Sequence, residues 1–467
     1  MTVAIRLSPP GNGIVSAVPG ARWSSAQAFV FAAVASVGLG NIWRFPYLVS
    51  RHGGGAFLLV YVVALLLLAL PILMAEVMIG RRGRSHPGQC FGGVALDEGR
   101  TCRWGLTAFA GSLAGLMLLS AYSVSAGWAV TTLSRLATGW SLAPAEPATA
   151  ASVPAALLGS PFVLIAGQAL VLWIAVRVTA RGLRRGLEPV QARLLLVLLP
   201  ILALLFGLCA AGTDQLRQAI SVVFIPDFTR LGWWGGFEAV RLAFLTLGIG
   251  VGTMISFGAG LPEGASILRS AATVICLDLV LTLCATVAIY TVLLAGGGFP
   301  DRGPALLFVA IPAALRGLWL AGPIAAAFYS FLLLAALGSL VAILHPLVEH
   351  LVGSTGLSRP RAAQFAGGMA WLIGAIVIAP GLIGLPGASQ LVLLESLRGI
   401  GVDFLIPVAA LGGVLFVGWA VSRRTSRREL ALPRGRWFVM WRWLIRFPVP
   451  VALAAVLGGG VLELLFG

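Results

Sequence analysis

The sequence predicts an all-α polytopic membrane protein with about 11 transmembrane helices. Three observations predict it: the composition, a series of long apolar segments, and the placement of arginine. Of the 467 residues, 59% are hydrophobic and only 10% are charged. A soluble globular protein carries about 25% charged and 45–50% apolar residues. The mean hydropathy is +0.98. So few charges cannot cover a soluble surface of this size, and the composition also excludes a disordered chain, a collagen-like chain and a nucleic-acid-binding module.

A membrane-spanning helix needs about 20 apolar residues. Segments of that kind fall near 24–48, 55–80, 104–136, 158–177, 190–211, 234–260, 269–296, 319–352, 362–381, 400–421 and 447–466. The third and eighth are long enough that they must tilt or run past the bilayer. All 32 basic residues are arginine, and they set the orientation. With the N-terminus inside, the inner segments hold 23 arginines and the outer segments 8, with Arg44 left inside a span. That bias absorbs the net charge of +16, so neither nucleic acid nor an acidic partner is needed. An odd helix count then places the C-terminus outside. Residues 1–22 hold Pro9, Pro10, Gly11, Gly13 and Pro19 and read as a cytoplasmic segment, not a signal peptide. Cys90, Cys102, Cys209, Cys276 and Cys284 form no CxxC and read as reduced structural thiols.

Two segments are interrupted. The first carries Ser36-Val37-Gly38-Leu39-Gly40-Asn41, and the sixth carries Thr246-Leu247-Gly248-Ile249-Gly250-Val251-Gly252. They occupy equivalent positions in a five-plus-five inverted repeat. Paired broken helices point to a transport site near the bilayer midplane, because unwound backbone at that depth must be buried or line a cavity. Small residues also let helices pack closely. Gly together with Asn41 and Arg44 in one span favours a site.

Ionisable groups at bilayer depth are costly and mark function by default. Arg44, Glu76, Asp278 and Asp403 qualify. Asp278 lies in VICLDLVLTL, far from any other charge. A bound cation would keep it ionised, and a protonated Asp bonded to a carbonyl is the bland alternative. Arg44 and Asp403 sit near outer helix ends, where they either snorkel or pair to close a vestibule. Glu76 reads as a cap or brace for a neighbouring helix. His345-Pro346-Leu347-Val348-Glu349-His350 has one residue too many for an HxxEH zinc site, and Pro346 is expected to disrupt the turn. Neither GxSxG nor a Walker A motif occurs, so an enzyme is not expected.

At this point the sequence resembles the bacterial branch of the neurotransmitter:sodium symporter family, whose best-known member is the bacterial leucine transporter. That family is itself a type example of broken-helix architecture. The resemblance runs from about residue 22 to 460. Its most specific stretch is VGLGNIWRFPYLVSRHGGGAF (37–57), joined by PILMAEVMIGR (71–81), LSAYSVSAGW (119–128), IPDFTRL (225–231), FLTLGIGVG (244–252), GPALLFVAIPAAL (303–315) and TGLSRPRA (355–362). It implies a cytoplasmic segment 1–22, a transporter core 23–421, a cytoplasmic Arg-rich loop 422–446 and a last helix 447–467. The implied location is the bacterial inner membrane. The implied function is sodium-coupled import of an amino acid by alternating access.

The resemblance also assigns residues. A first sodium site would use the Ser36 carbonyl, Asn41, Thr246 and Asp278, all hard oxygen ligands suited to a hard cation. Tyr122 would hold the substrate carboxylate. The amino group would meet carbonyls near Ser36, Leu245 and Thr246. Gly38 stands where monoamine transporters carry Asp, which implies a substrate with its own carboxylate. The side-chain pocket would be lined by Leu118, Leu245, Gly248, Val251, Ser339 and Ile343. Five of these lack a polar side chain, which implies a zwitterionic, hydrophobic or aromatic substrate. A second sodium site would use Val34, Val37, Ala335 and Ser339, with Gly338 replacing a usual oxygen ligand. Arg44 and Asp403 would form the outer gate. The inner gate would use Arg22, one residue out of register with Asn41, and Glu349, because the usual acidic position is Gly353. Asp278 supplies a fixed negative charge and Thr282 stands at the neighbouring charge position, so no chloride requirement is expected. The alternative is a proton-coupled or uncoupled transporter or sensor of the same fold.

Overall fold

The computed structural model describes residues 39–137, 161–210, 213–262, 264–297, 306–315, 320–383, 387–432 and 435–466. Helix follows helix throughout. α1 is Leu39–Arg51, α2 Gly55–Gly83, α3 Pro87–Asp97, α4 Gly105–Ala137, α5 Pro161–Ala180 and α6 Glu188–Ala210. α7 is Thr213–Phe224, α8 Phe228–Leu245, α9 Thr253–Gly260, α10 Ile267–Ala295, α11 Leu306–Leu315 and α12 Ala321–Thr355. α13 is Arg359–Ile378, α14 Gln390–Ala420, α15 Arg423–Leu430, α16 Gly435–Arg446 and α17 Pro448–Phe466.

Nine described helical stretches are long and apolar enough to cross a membrane. They match every expected segment except the first and the sixth. The first is described only from Leu39 onward, and the sixth is split into α8 and α9. α4 and α12, of 33 and 35 residues, reach about 50 Å at 1.5 Å per residue, well beyond a hydrocarbon core of about 30 Å. Large apolar side chains such as Leu59, Val63, Leu66, Leu196, Trp173 and Ile376 face outward, where lipid rather than water suits them.

Local chemistry sets the ends. Asp227 caps α8 by accepting from the Thr229 N–H (3.0 Å), and Ser266 caps α10 through the Arg269 N–H (3.3 Å). α8 carries a kink at Gly232. Two motifs of the sequence meet in space. The turn at Gly53 and Gly54 lies under Pro226 and Asp227, with the Asp227 N–H donating to the Gly53 carbonyl (3.0 Å) and the Gly55 N–H to Ile225 (3.1 Å). A Cβ on Gly53 would stand 2.0 Å from the Asp227 carbonyl oxygen, so only glycine permits this approach.

Two expectations change here. Pro346 does not break its helix, which runs unbroken from Ala321 to Thr355. The stretch 422–446, expected as a loop, folds into α15 and α16. Ser422 caps α15 by accepting from the Thr425 N–H (3.2 Å), and the buried residues of α16 recur as Phe438, Trp441, Arg442, Leu444 and Ile445, one side of a helix.

Candidate functional site

Between Leu245 and Thr253 the backbone leaves the helix. Gly248, Gly250 and Gly252 take φ of 62°, 85° and 93°, the left-handed region that side chains resist. The sixth segment is therefore broken where the sequence placed the break. α2 braces the opening: Glu76 accepts from the Gly250 N–H at 2.7 Å. α9 then packs on α2 so closely that a Cβ on Gly80 would stand 1.9 Å from the Ile255 carbonyl oxygen.

At the start of the break, the Thr246 hydroxyl donates to Asp278 Oδ2 at 2.9 Å, and Asp278 is fully buried. Two of the four residues expected at the first sodium site are thus side by side. Ser36 lies outside the described residues, and of Asn41 only the place in α1 is described. Gly38, Val34, Val37 and Arg22 also lie outside them.

The expected pocket residues come from three directions. Leu118 and Tyr122 stand one turn apart on α4, Leu245, Gly248 and Val251 on the broken segment, and Ser339 and Ile343 on α12. Gly115 joins them: a Cβ there would stand 2.9 Å from Val251 Cγ1 and 3.5 Å from Ile343 Cγ2. A Cβ on Gly248 would meet nothing within 4 Å, so open space lies beside it. At the expected second sodium site, the Ser339 hydroxyl donates to the Ala335 carbonyl at 3.1 Å. The Gly338 carbonyl accepts from Gln191 Nε2 at 3.1 Å.

The expected outer gate is larger than a pair. Arg44 reaches Asp403 at 3.7 Å but lies nearer Glu238, at 3.0 Å. Asp403 sits closer to Arg241, at 2.6 Å, and 3.7 Å from Arg398. Arg241 also pairs with Glu238 (3.0 Å), and Arg398 with Glu395 (2.8 Å). Three cations and three anions balance. Arg241 and Arg398, two of the eight arginines assigned to the outer side, belong to α8 and α14, and Arg241 is fully buried. Glu238 and Arg241, at i and i+3 within an apolar segment, were the signal available in sequence.

At the far end of α12, Glu349 contacts His345 (3.3 Å), Arg359 (3.7 Å) and the Ser256 hydroxyl (3.3 Å). A Cβ on Gly353 would stand 2.0 Å from His86 Nε2, so the imidazole fills the space an acidic side chain there would need. Burial, with His350 alongside, pushes the His86 imidazole down to about 4.

The profile of the sodium:neurotransmitter symporter family matches residues 21–96 and 164–463. This chain belongs to that family. An uncharacterized sodium-dependent transporter of Bacillus subtilis, YhdH, is 31% identical over 453 residues, spanning 93% of this chain and 96% of its own. The rat sodium-dependent neutral amino acid transporter SLC6A17 is 36% identical over 109 residues, 23% of this chain and 14% of its own. Among solved structures, MhsT in complex with L-phenylalanine superposes with a TM-score of 0.80 at 29% identity, covering 94% of this chain and all of that one. The symporter is thus a multi-pass membrane transporter with the fold of MhsT.

Proposed function

We propose that this symporter imports a zwitterionic, bulky apolar or aromatic amino acid together with sodium. The observation that carries the reading is the buried Thr246–Asp278 pair at the edge of an unwound glycine segment, beside open space at Gly248. Asp278 and Thr246 supply oxygens to sodium, with Ser36 and Asn41 completing the first site. Tyr122 holds the substrate carboxylate. Leu118, Val251, Leu245 and Ile343 contact an apolar side chain, and a charged one would be buried without a partner at a cost of several kcal/mol. MhsT binds L-phenylalanine, which supports the aromatic end of this class. The six-group ion network opens and closes the outer side, and Glu349 with Arg359 works at the inner side, with Arg22 as a further candidate partner. The arginine bias and an odd number of spans support an N-terminus inside and a C-terminus outside, and the family resemblance supports a bacterial inner membrane.

Competition against a labelled substrate in proteoliposomes tests the class. Tryptophan, phenylalanine and leucine compete strongly; glutamate and lysine do not. Strong competition by glutamate or lysine overturns the reading. Asp278 provides the negative charge that chloride would otherwise supply, so replacing chloride by gluconate leaves uptake unchanged; a several-fold loss refutes this charge balance. A second reading, proton coupling, draws on Gly338, which offers no side-chain oxygen to a second sodium ion. Uptake driven by a pH gradient without sodium would favour it.

A further inference from the structure

The side of the molecule away from the outer ion network carries a strongly basic helix that transport does not use. α15 reads RRTSRREL. Arg423, Arg424, Arg427 and Arg428 fall within about 140° of arc at 100° per residue. All four are exposed and line one shallow open depression. The adjoining face, Ser426 and Leu430, is buried, and Ser426 accepts from Arg442 of α16 at 3.2 Å. The helix is thus held at a set orientation, with its arginines turned outward. Glu429 ties it to α2 through Arg81 (3.2 Å) and Arg82 (3.7 Å). Among the described residues, none of the four arginines has a carboxylate partner.

This array is unfavourable by itself. Arg423–Arg427 and Arg424–Arg428 are like-charge pairs at i,i+4, and the first two arginines stand at the positive end of the helix dipole. Positive-inside bias requires arginines near helix ends but not their alignment on one face of a docked helix. The neighbouring surface has the chemistry of a membrane interface. α16 exposes Trp437, Val439, Met440 and Trp443, and Phe447 follows. Arg423 stacks over the buried Phe438 ring at 5.9 Å, and Arg427 reaches toward Gly435, so the basic helix lies against the start of α16, where Trp437 is exposed. Trp at the headgroup level and clustered arginines beside it are the two halves of an anionic-lipid contact.

We propose that α15 and α16 together bind anionic phospholipid headgroups, with phosphates on Arg423, Arg424, Arg427 and Arg428 and acyl chains along Trp437, Met440 and Trp443. The test uses the full-length protein in a neutral detergent, with phosphatidylglycerol or phosphatidylcholine added at equal concentration and bound lipid counted by native mass spectrometry. The wild type retains phosphatidylglycerol at least tenfold over phosphatidylcholine. The variant R423Q/R424Q/R427Q/R428Q loses that preference, whereas R217Q/R230Q, on exposed arginines of α7 and α8, keeps it. If the fourfold variant does not fold, R424Q/R428Q decides, with an expected loss of at least threefold. An unchanged preference in either variant overturns the proposal. So does equal retention of the two lipids by the wild type, or displacement of phosphatidylglycerol by inorganic phosphate at the same concentration, which would mark a free-phosphate site.

Discussion

At the scale of single residues, Asp278 carries the most chemistry. It is fully buried and accepts from the Thr246 hydroxyl at 2.9 Å. An ionised carboxylate at bilayer depth is costly, and a bound cation offsets that cost. Asp278→Ala is expected to insert and fold yet to lose sodium-driven uptake by at least tenfold, measured in proteoliposomes under a sodium gradient. Uptake at the wild-type level would remove Asp278 from the sodium site. Glu76 shows a different residue-scale role. Sequence suggested a brace, and the 2.7 Å bond from the Gly250 N–H makes it one. An unwound segment leaves backbone donors without helical partners, and a carboxylate acceptor from a neighbouring helix satisfies one of them.

At the scale of elements, the break between α8 and α9 depends on how closely α9 lies on α2. Gly80 faces the Ile255 carbonyl, and Gly258 faces Val77, with a Cβ on Gly258 standing 2.2 Å from the Val77 carbonyl oxygen. Backbone meets backbone, so no side chain can move aside. Gly80→Ala is expected to push the helices apart and to destabilise the protein by about 1–3 kcal/mol, the usual cost of overpacking. A thermal melt in detergent reads this as a lowered midpoint, and an unchanged midpoint would mean that α9 shifts freely. The second element-scale result is α15. Eight residues that looked like a charged loop become a helix because Ser422 caps them and Glu429 and Ser426 dock them.

At the scale of the whole molecule, the ion network of Arg44, Glu238, Arg241, Arg398, Glu395 and Asp403 joins α1, α8 and α14. Those elements come from the beginning, middle and end of the chain. Arg241 lies at its centre, bonded to both Glu238 and Asp403. Replacing Arg241 by Met leaves two buried carboxylates short of a partner, and losing one member of a buried pair costs about 3–5 kcal/mol. The variant should melt well below the wild type. Adding Asp403→Asn should recover part of the loss by removing one uncompensated charge. Equal melting of wild type and Arg241→Met would show that Arg44 and Arg398 suffice.

The sequence by itself determined the fold class and the location of the helix break, and it singled out Asp278, because each rests on local signals: apolar length, glycine frequency and the cost of a charge in hydrocarbon. Arg44 and Asp403 were legible as ionisable groups at bilayer depth for the same reason. Only the tertiary structure decided which carboxylate each arginine meets, since ion pairing depends on helices distant in sequence. It likewise revealed Gly115 beside Val251 and Ile343, His86 in the space beside Gly353, and Gln191 on the Gly338 carbonyl. A glycine or a histidine carries no mark in sequence of what stands opposite it. That information exists only once the helices are packed.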